Sequence, residues 1–72
     1  MTNGTTKLIK LGKNIQHARR AKGLSQNDLA DMLDISREHL AKIETAKRCI
    51  SLRLLFKLST VLETSEENLL HF

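Results

Sequence analysis

The run Gln26 to Ile43, QNDLADMLDISREHLAKI, constrains this chain more than any other. Leu29, Ala30 and Leu33 repeat at helical spacing, Ile35 falls in a break, and Leu40 and Ile43 resume the apolar stripe three residues apart. Ala30 stands where two crossing helices touch most closely, and its small side chain permits that approach. Ser25 caps the first of these helices, with Asp28 three residues on as a short-armed capping box. Ser36 caps the second. Two short helices, a tight turn and one shared apolar seam are the elements of a helix-turn-helix, here about 26–43.

Length and composition narrow the setting. Seventy-two residues make one domain, 1–72, near the lower limit for folding without staples. One cysteine excludes an internal disulfide and suits a reducing, cytoplasmic compartment. No apolar run approaches the roughly 20 residues that cross a bilayer, so no membrane role is expected. The start, MTNGTTKLIKLGKN, lacks the roughly 7–15-residue apolar core of a signal peptide. With no proline, few aromatics and abundant Leu, Ala, Lys, Arg and Glu, the chain favours an all-α fold.

The net charge of +4 is unevenly placed. Lys7, Lys10, Lys13, Arg19, Arg20 and Lys22 precede any acid. Asp28, Asp31 and Asp34 cluster on the first motif helix, and the tail carries Glu63, Glu66 and Glu67 without a cation. Basic and acidic ends suit a polyanion partner on one face, and equally a solvated surface. The helix-turn-helix pattern specifies which face the cations should share.

Five helices are expected. Residues 1–6 are polar and expected to be flexible. Leu8, Leu11, Ile15 and Ala18 give the first helix its apolar face. Gly12 interrupts that pattern, so the helix starts near Thr6 or only at Gly12. Gly23 suits its C-terminal end. Ser51 caps a fourth helix with Leu54, Leu55, Leu58, Val61 and Leu62 at helical spacing. Ser65 opens a fifth, with Glu66 and Glu67 in its first turn and Leu69, Leu70 and Phe72 apolar. There is no internal repeat, low-complexity segment or interdomain linker.

The run GLSQNDLADMLDISREHLAKIETAKRCISL resembles the Cro/CI-type (lambda-repressor-like, XRE-type) helix-turn-helix family of phages and bacteria. The resemblance covers about Leu11 to Leu70 and rests on Gly23-Leu24-Ser25-Gln26, Lys42-Ile43-Glu44 and Lys47-Arg48. The segment Lys47-Arg48-Cys49-Ile50-Ser51, without proline, is also similar to restriction–modification controller proteins, a subgroup of that family. Two departures stand out. Asp34 replaces the usual turn glycine and tolerates a left-handed backbone. Thr45-Ala46 replaces the usual Asn-Gly, and Ala46 is poor where a positive φ is needed, so that loop is expected to differ in shape.

The resemblance implies a compact five-helix domain that binds double-stranded DNA as a sequence-specific regulator, its helix at about 37–44 in the major groove. On that helix Arg37, Glu38, His39 and Lys42 are the candidates for base readout. Arg37 suits guanine O6 and N7, and Glu38 can accept from cytosine N4 although it repels phosphate. Lys42 lies a full turn along, which suits a phosphate better than a base. Gln26, Ser36, Lys47 and Arg48 are the candidate phosphate contacts, Gln26 at a helix N-terminus suited to anions. Arg19 and Glu44 match a pair that often forms a salt bridge in the family. Leu69, Leu70 and Phe72 are the candidate dimer interface, although Leu69 can also fill the core while Leu70 and Phe72 cannot both be buried by so small a domain; a dimer implies an approximately palindromic operator.

Catalysis is not expected. Cys49 has no cysteine partner, and His17, His39 and His71 lack metal-ligand spacing, so neither a metal nor another cofactor is implied. A second reading is an antitoxin or other interaction module whose main partner is a protein, such as a toxin.

Overall fold

The computed structural model describes residues 3–71. Helices α1 (Asn3–Ala21), α2 (Gln26–Leu33), α3 (Arg37–Glu44), α4 (Leu52–Val61) and α5 (Glu66–Leu69) follow in order, with no strand among the described residues. No described helix is long and apolar enough to cross a membrane.

Serine starts each helix after α1. Ser25, Ser36, Ser51 and Ser65 all take extended backbone angles, and each side chain accepts the N–H three residues on. At α2 the capping box closes fully. Asp28 N donates to Ser25 Oγ at 3.0 Å, and Ser25 N donates to Asp28 Oδ2 at 3.1 Å. The shorter aspartate therefore suffices, and these bonds lower its carboxyl pKa from the usual value.

The helix ends are equally regular. Gly23, Asp34, Ala46 and Glu63 close α1 to α4 in left-handed conformations, with φ of 72°, 59°, 64° and 55°. Each makes the same pair of returning bonds; at α3 these are Ala46 N to Ile43 O at 3.2 Å and Lys47 N to Lys42 O at 2.8 Å. The α3 loop therefore keeps the turn a glycine would give, although alanine occupies it. A Cβ in this conformation costs about 1–2 kcal/mol. Ala46→Gly removes that cost but adds chain entropy, so it is expected to raise unfolding stability by about 0.5–1 kcal/mol. Urea denaturation measures the gain, and a loss of stability would contradict the strain.

The apolar stripes meet in one core of Leu11, Ile15, Leu29, Ala30, Leu33, Leu40, Ile43, Leu54, Leu55, Leu58, Leu62 and Leu69. Ala30 is 1% exposed, as a close α2–α3 contact requires, and Val61 lies at the core's edge. Asn14 Nδ2 donates to Leu69 O at 2.8 Å and His71 O at 3.1 Å, which pins α5 to α1. Lys57 Nζ donates to Leu33 O at 3.2 Å and satisfies a carbonyl at the end of α2.

Two features of α1 depart from the sequence reading. The helix begins at Asn3, so Asn3 to Thr6, expected to be flexible, form its first turn. It also runs unbroken through Gly12, because Gly12 is a packing contact and not a stop. A Cβ there would lie 2.8 Å from Glu44 C and 3.0 Å from Ile43 O. The missing side chain lets α1 reach the backbone at the end of α3.

Candidate nucleic-acid interface

The α2–α3 pair is held from behind by a buried polar cluster. Arg19 and Glu44 are 7% and 3% exposed. Arg19 Nε donates to Glu44 Oε2 at 2.9 Å, and Nη2 donates to Oε1 at 3.2 Å, a two-point fork. Arg19 Nη1 also donates to Leu24 O at 3.0 Å. Gln26 Nε2 donates to Glu44 Oε1 at 2.9 Å, and Gln16 Nε2 donates to Glu44 O at 3.1 Å. Among the described residues, no buried side-chain nitrogen or oxygen lacks a hydrogen-bond partner. The expected Arg19–Glu44 pair thus forms, and it fixes the end of α3 against α1 and the start of α2.

Arg37, Glu38 and Lys42 stand exposed on the outer face of α3. Glu38 Oε2 is 3.9 Å from Lys42 Nζ, one helical turn away, so Lys42 offsets part of its negative charge. His39 is half-buried. Its N–H caps on Ser36 Oγ at 3.0 Å. That bond uses a lone pair on Ser36 and leaves its hydroxyl proton able to reach an anion.

Lys47 and Arg48 are exposed immediately after α3. Gln26 is half-buried, and its amide nitrogen is committed to Glu44. Its backbone N–H sits in the first turn of α2, where helix geometry provides no internal acceptor. Motif spacing did not reveal the Gln26–Glu44 bond, which joins residues 18 apart. Gly12 and Gln16 were also missed as supports of the site; their contacts to α3 span about 30 positions with no local pattern to mark them.

The C-terminal apolar residues separate. Leu69 is 2% exposed and fills the core, so it presents no surface to a second chain. Leu70 is 43% exposed, and Phe72 lies outside the described residues. Larger apolar surface appears on α4, where Leu52 is 70% and Phe56 53% exposed. Both were absent from the sequence-based interface. Glu63 at the end of α4 pairs with Lys22, which holds its carboxyl pKa below the usual value.

Comparison with known proteins identifies the family and the fold. A family model described as helix-turn-helix matches residues 15–69. The chain is 39% identical over 59 residues to the SPbeta prophage-derived uncharacterized HTH-type transcriptional regulator YonR of Bacillus subtilis (strain 168). That match covers 82% of this chain and 55% of YonR, so the chain spans about half the length of that relative. The fold is similar to the crystal structure of the restriction-modification controller protein C.AhdI from Aeromonas hydrophila, with a TM-score of 0.84 and 34% identity. The superposition covers 89% of this chain and 97% of the controller.

Proposed function

Because this chain belongs to the helix-turn-helix family, we propose that it is a sequence-specific double-stranded DNA-binding transcriptional regulator, acting in the cytoplasm by binding and not by catalysis. The observation that carries the reading is the outer face of α3. Arg37, Glu38 and Lys42 project from a helix whose inner face and C-terminal end are locked by Leu40, Ile43 and Glu44. A rigid helix with long polar side chains on one side suits the major groove. Arg37, Glu38, Lys42 and the half-exposed His39 are assigned to bases. Gln26 through its backbone N–H, Ser36, Lys47 and Arg48 are assigned to phosphates.

The functional unit is proposed to be a two-fold dimer. Leu52, Phe56 and Leu70 offer the apolar surface for a second copy, in place of Leu69. A symmetric pair presents two α3 helices about one turn of DNA apart, roughly 34 Å, to an approximately palindromic operator. An antitoxin-like role with a toxin as partner is the alternative.

Selection of bound duplexes from a random pool tests the reading. An enriched inverted repeat is expected. Arg37→Ala should then cost about 1–3 kcal/mol and relax the preference at one base position per half-site. Lys47→Ala should weaken all duplexes about equally. A pool that returns no enriched sequence would defeat sequence-specific binding, and enrichment without inverted symmetry would defeat the dimer.

A further inference from the structure

The outer face of α1 carries cations that the α3 reading does not use. Lys7, Lys10, Lys13, His17 and Arg20 are all exposed. At helical geometry they share a sector of about 140° and span about 20 Å along the axis. Leu11, Ile15 and Arg19 occupy another sector and are buried. The helix contains no Asp or Glu from Asn3 to Ala21. Among the described residues, Lys7, Lys10, Lys13 and Arg20 form no ion pair; the recorded pairs use Arg19, Lys22 and Lys42.

This arrangement weakens the isolated helix. Lys7–Lys10 and Lys10–Lys13 are like-charged neighbours three apart, and such pairs repel. Lysine near the N-terminal end also opposes the helix dipole, and the first turn has no acid to offset it. A closely spaced row of anions would relieve both effects. Duplex DNA supplies such a row, with one phosphate per strand every 3.4 Å or so. A membrane surface fits poorly, because an interfacial helix must offer a broad apolar face to lipid, and Leu11, Ile15 and Ala18 of α1 are spent on the core, which leaves Ile9 as its exposed large apolar residue.

We propose that the outer face of α1 is a second, sequence-independent contact surface for duplex DNA, separate from the α3 face. It rests on the reading of the chain as a DNA-binding protein. Lys10, Lys13 and Arg20 neutralise phosphates there, while α3 reads bases.

The test compares the parent with two variants of equal net charge. One is Lys10→Gln, Lys13→Gln, Arg20→Gln. The other removes three units elsewhere, as Arg53→Glu, Asn68→Asp, both at exposed, already polar positions on α4 and α5. The probe is a mixed-sequence duplex of several helical turns, titrated between about 50 and 200 mM salt. For the α1 variant, affinity at low salt should fall about tenfold and the salt slope should shrink by about 2–3. The control should change by less than about threefold, the effect of net charge alone. Both variants should keep the parent's melting behaviour, the α1 variant melting no lower because repulsion is relieved.

Equal losses in the two variants would reduce the effect to net charge and overturn the α1 surface. Unchanged binding by the α1 variant would overturn it as well. A parent that enriches an operator yet ignores the mixed duplex would overturn this inference alone. A parent that neither enriches a sequence nor binds the mixed duplex would remove the DNA-binding reading with it.

Discussion

Glu44→Ala is expected to destabilise the domain by about 3–5 kcal/mol, the range for breaking a buried ion pair from one side. The loss is large because Glu44 accepts two bonds from Arg19 and one from Gln26 while almost wholly out of water. Its removal leaves a buried guanidinium facing a cavity. Arg19→Met should cost a similar amount, since it strands the carboxylate. The double variant should cost less than the two losses added, because neither charge then remains unpaired. Urea unfolding of the four proteins gives the cycle. Additive losses would remove the pair from the account of stability. The functional consequence follows from position: Glu44 is the last residue of α3. Where the pair is broken and the domain still folds, DNA affinity should fall although no outward side chain has changed.

Gly12→Ala should destabilise by about 1–3 kcal/mol, the usual cost of overpacking a tight contact. Here the sign itself is informative. In an exposed helix interior the same change stabilises by roughly 0.5–1 kcal/mol, because alanine loses less conformational freedom than glycine. At position 12 the new methyl group would meet the carbonyl carbon of Glu44 and the carbonyl oxygen of Ile43. These are backbone atoms, so no side chain can swing aside. Relief requires α1 to move away from α3, which would stretch the Arg19–Glu44 and Gln16–Glu44 bonds as well. Thermal and urea unfolding of the single variant decide the matter. A stabilised protein would mean that helix propensity outweighs the contact and that α1 is free to shift.

The sequence alone determined the features that depend on near neighbours. Leu29, Leu33, Leu40 and Ile43 marked the α2–α3 seam through their spacing, and all four are buried. Ser25, Ser36, Ser51 and Ser65 marked helix starts, because a capping hydroxyl acts only three residues away. Asp34 was readable as a left-handed turn residue for the same local reason. The Arg19–Glu44 pair was legible only through family resemblance, as nothing in the intervening 24 residues announces it.

Tertiary structure decided the rest. Gly12 looked like a break, since its local tendency is to weaken a helix; its use is to admit the backbone of a helix some thirty residues away. Ala46 looked unfit for a positive φ, yet it adopts one, φ 64°, where α3 closes with two returning bonds. Gln26 was readable as a candidate phosphate contact at a helix start, and packing makes its side-chain amide the third donor to Glu44's two carboxylate oxygens. Leu69 and Leu70 are adjacent and chemically identical, but only the first faces the core. Helical periodicity fixes the angle between neighbouring side chains, whereas which direction is inward depends on where the other helices pack. A four-residue helix such as α5 is too short to reveal that direction from its own pattern.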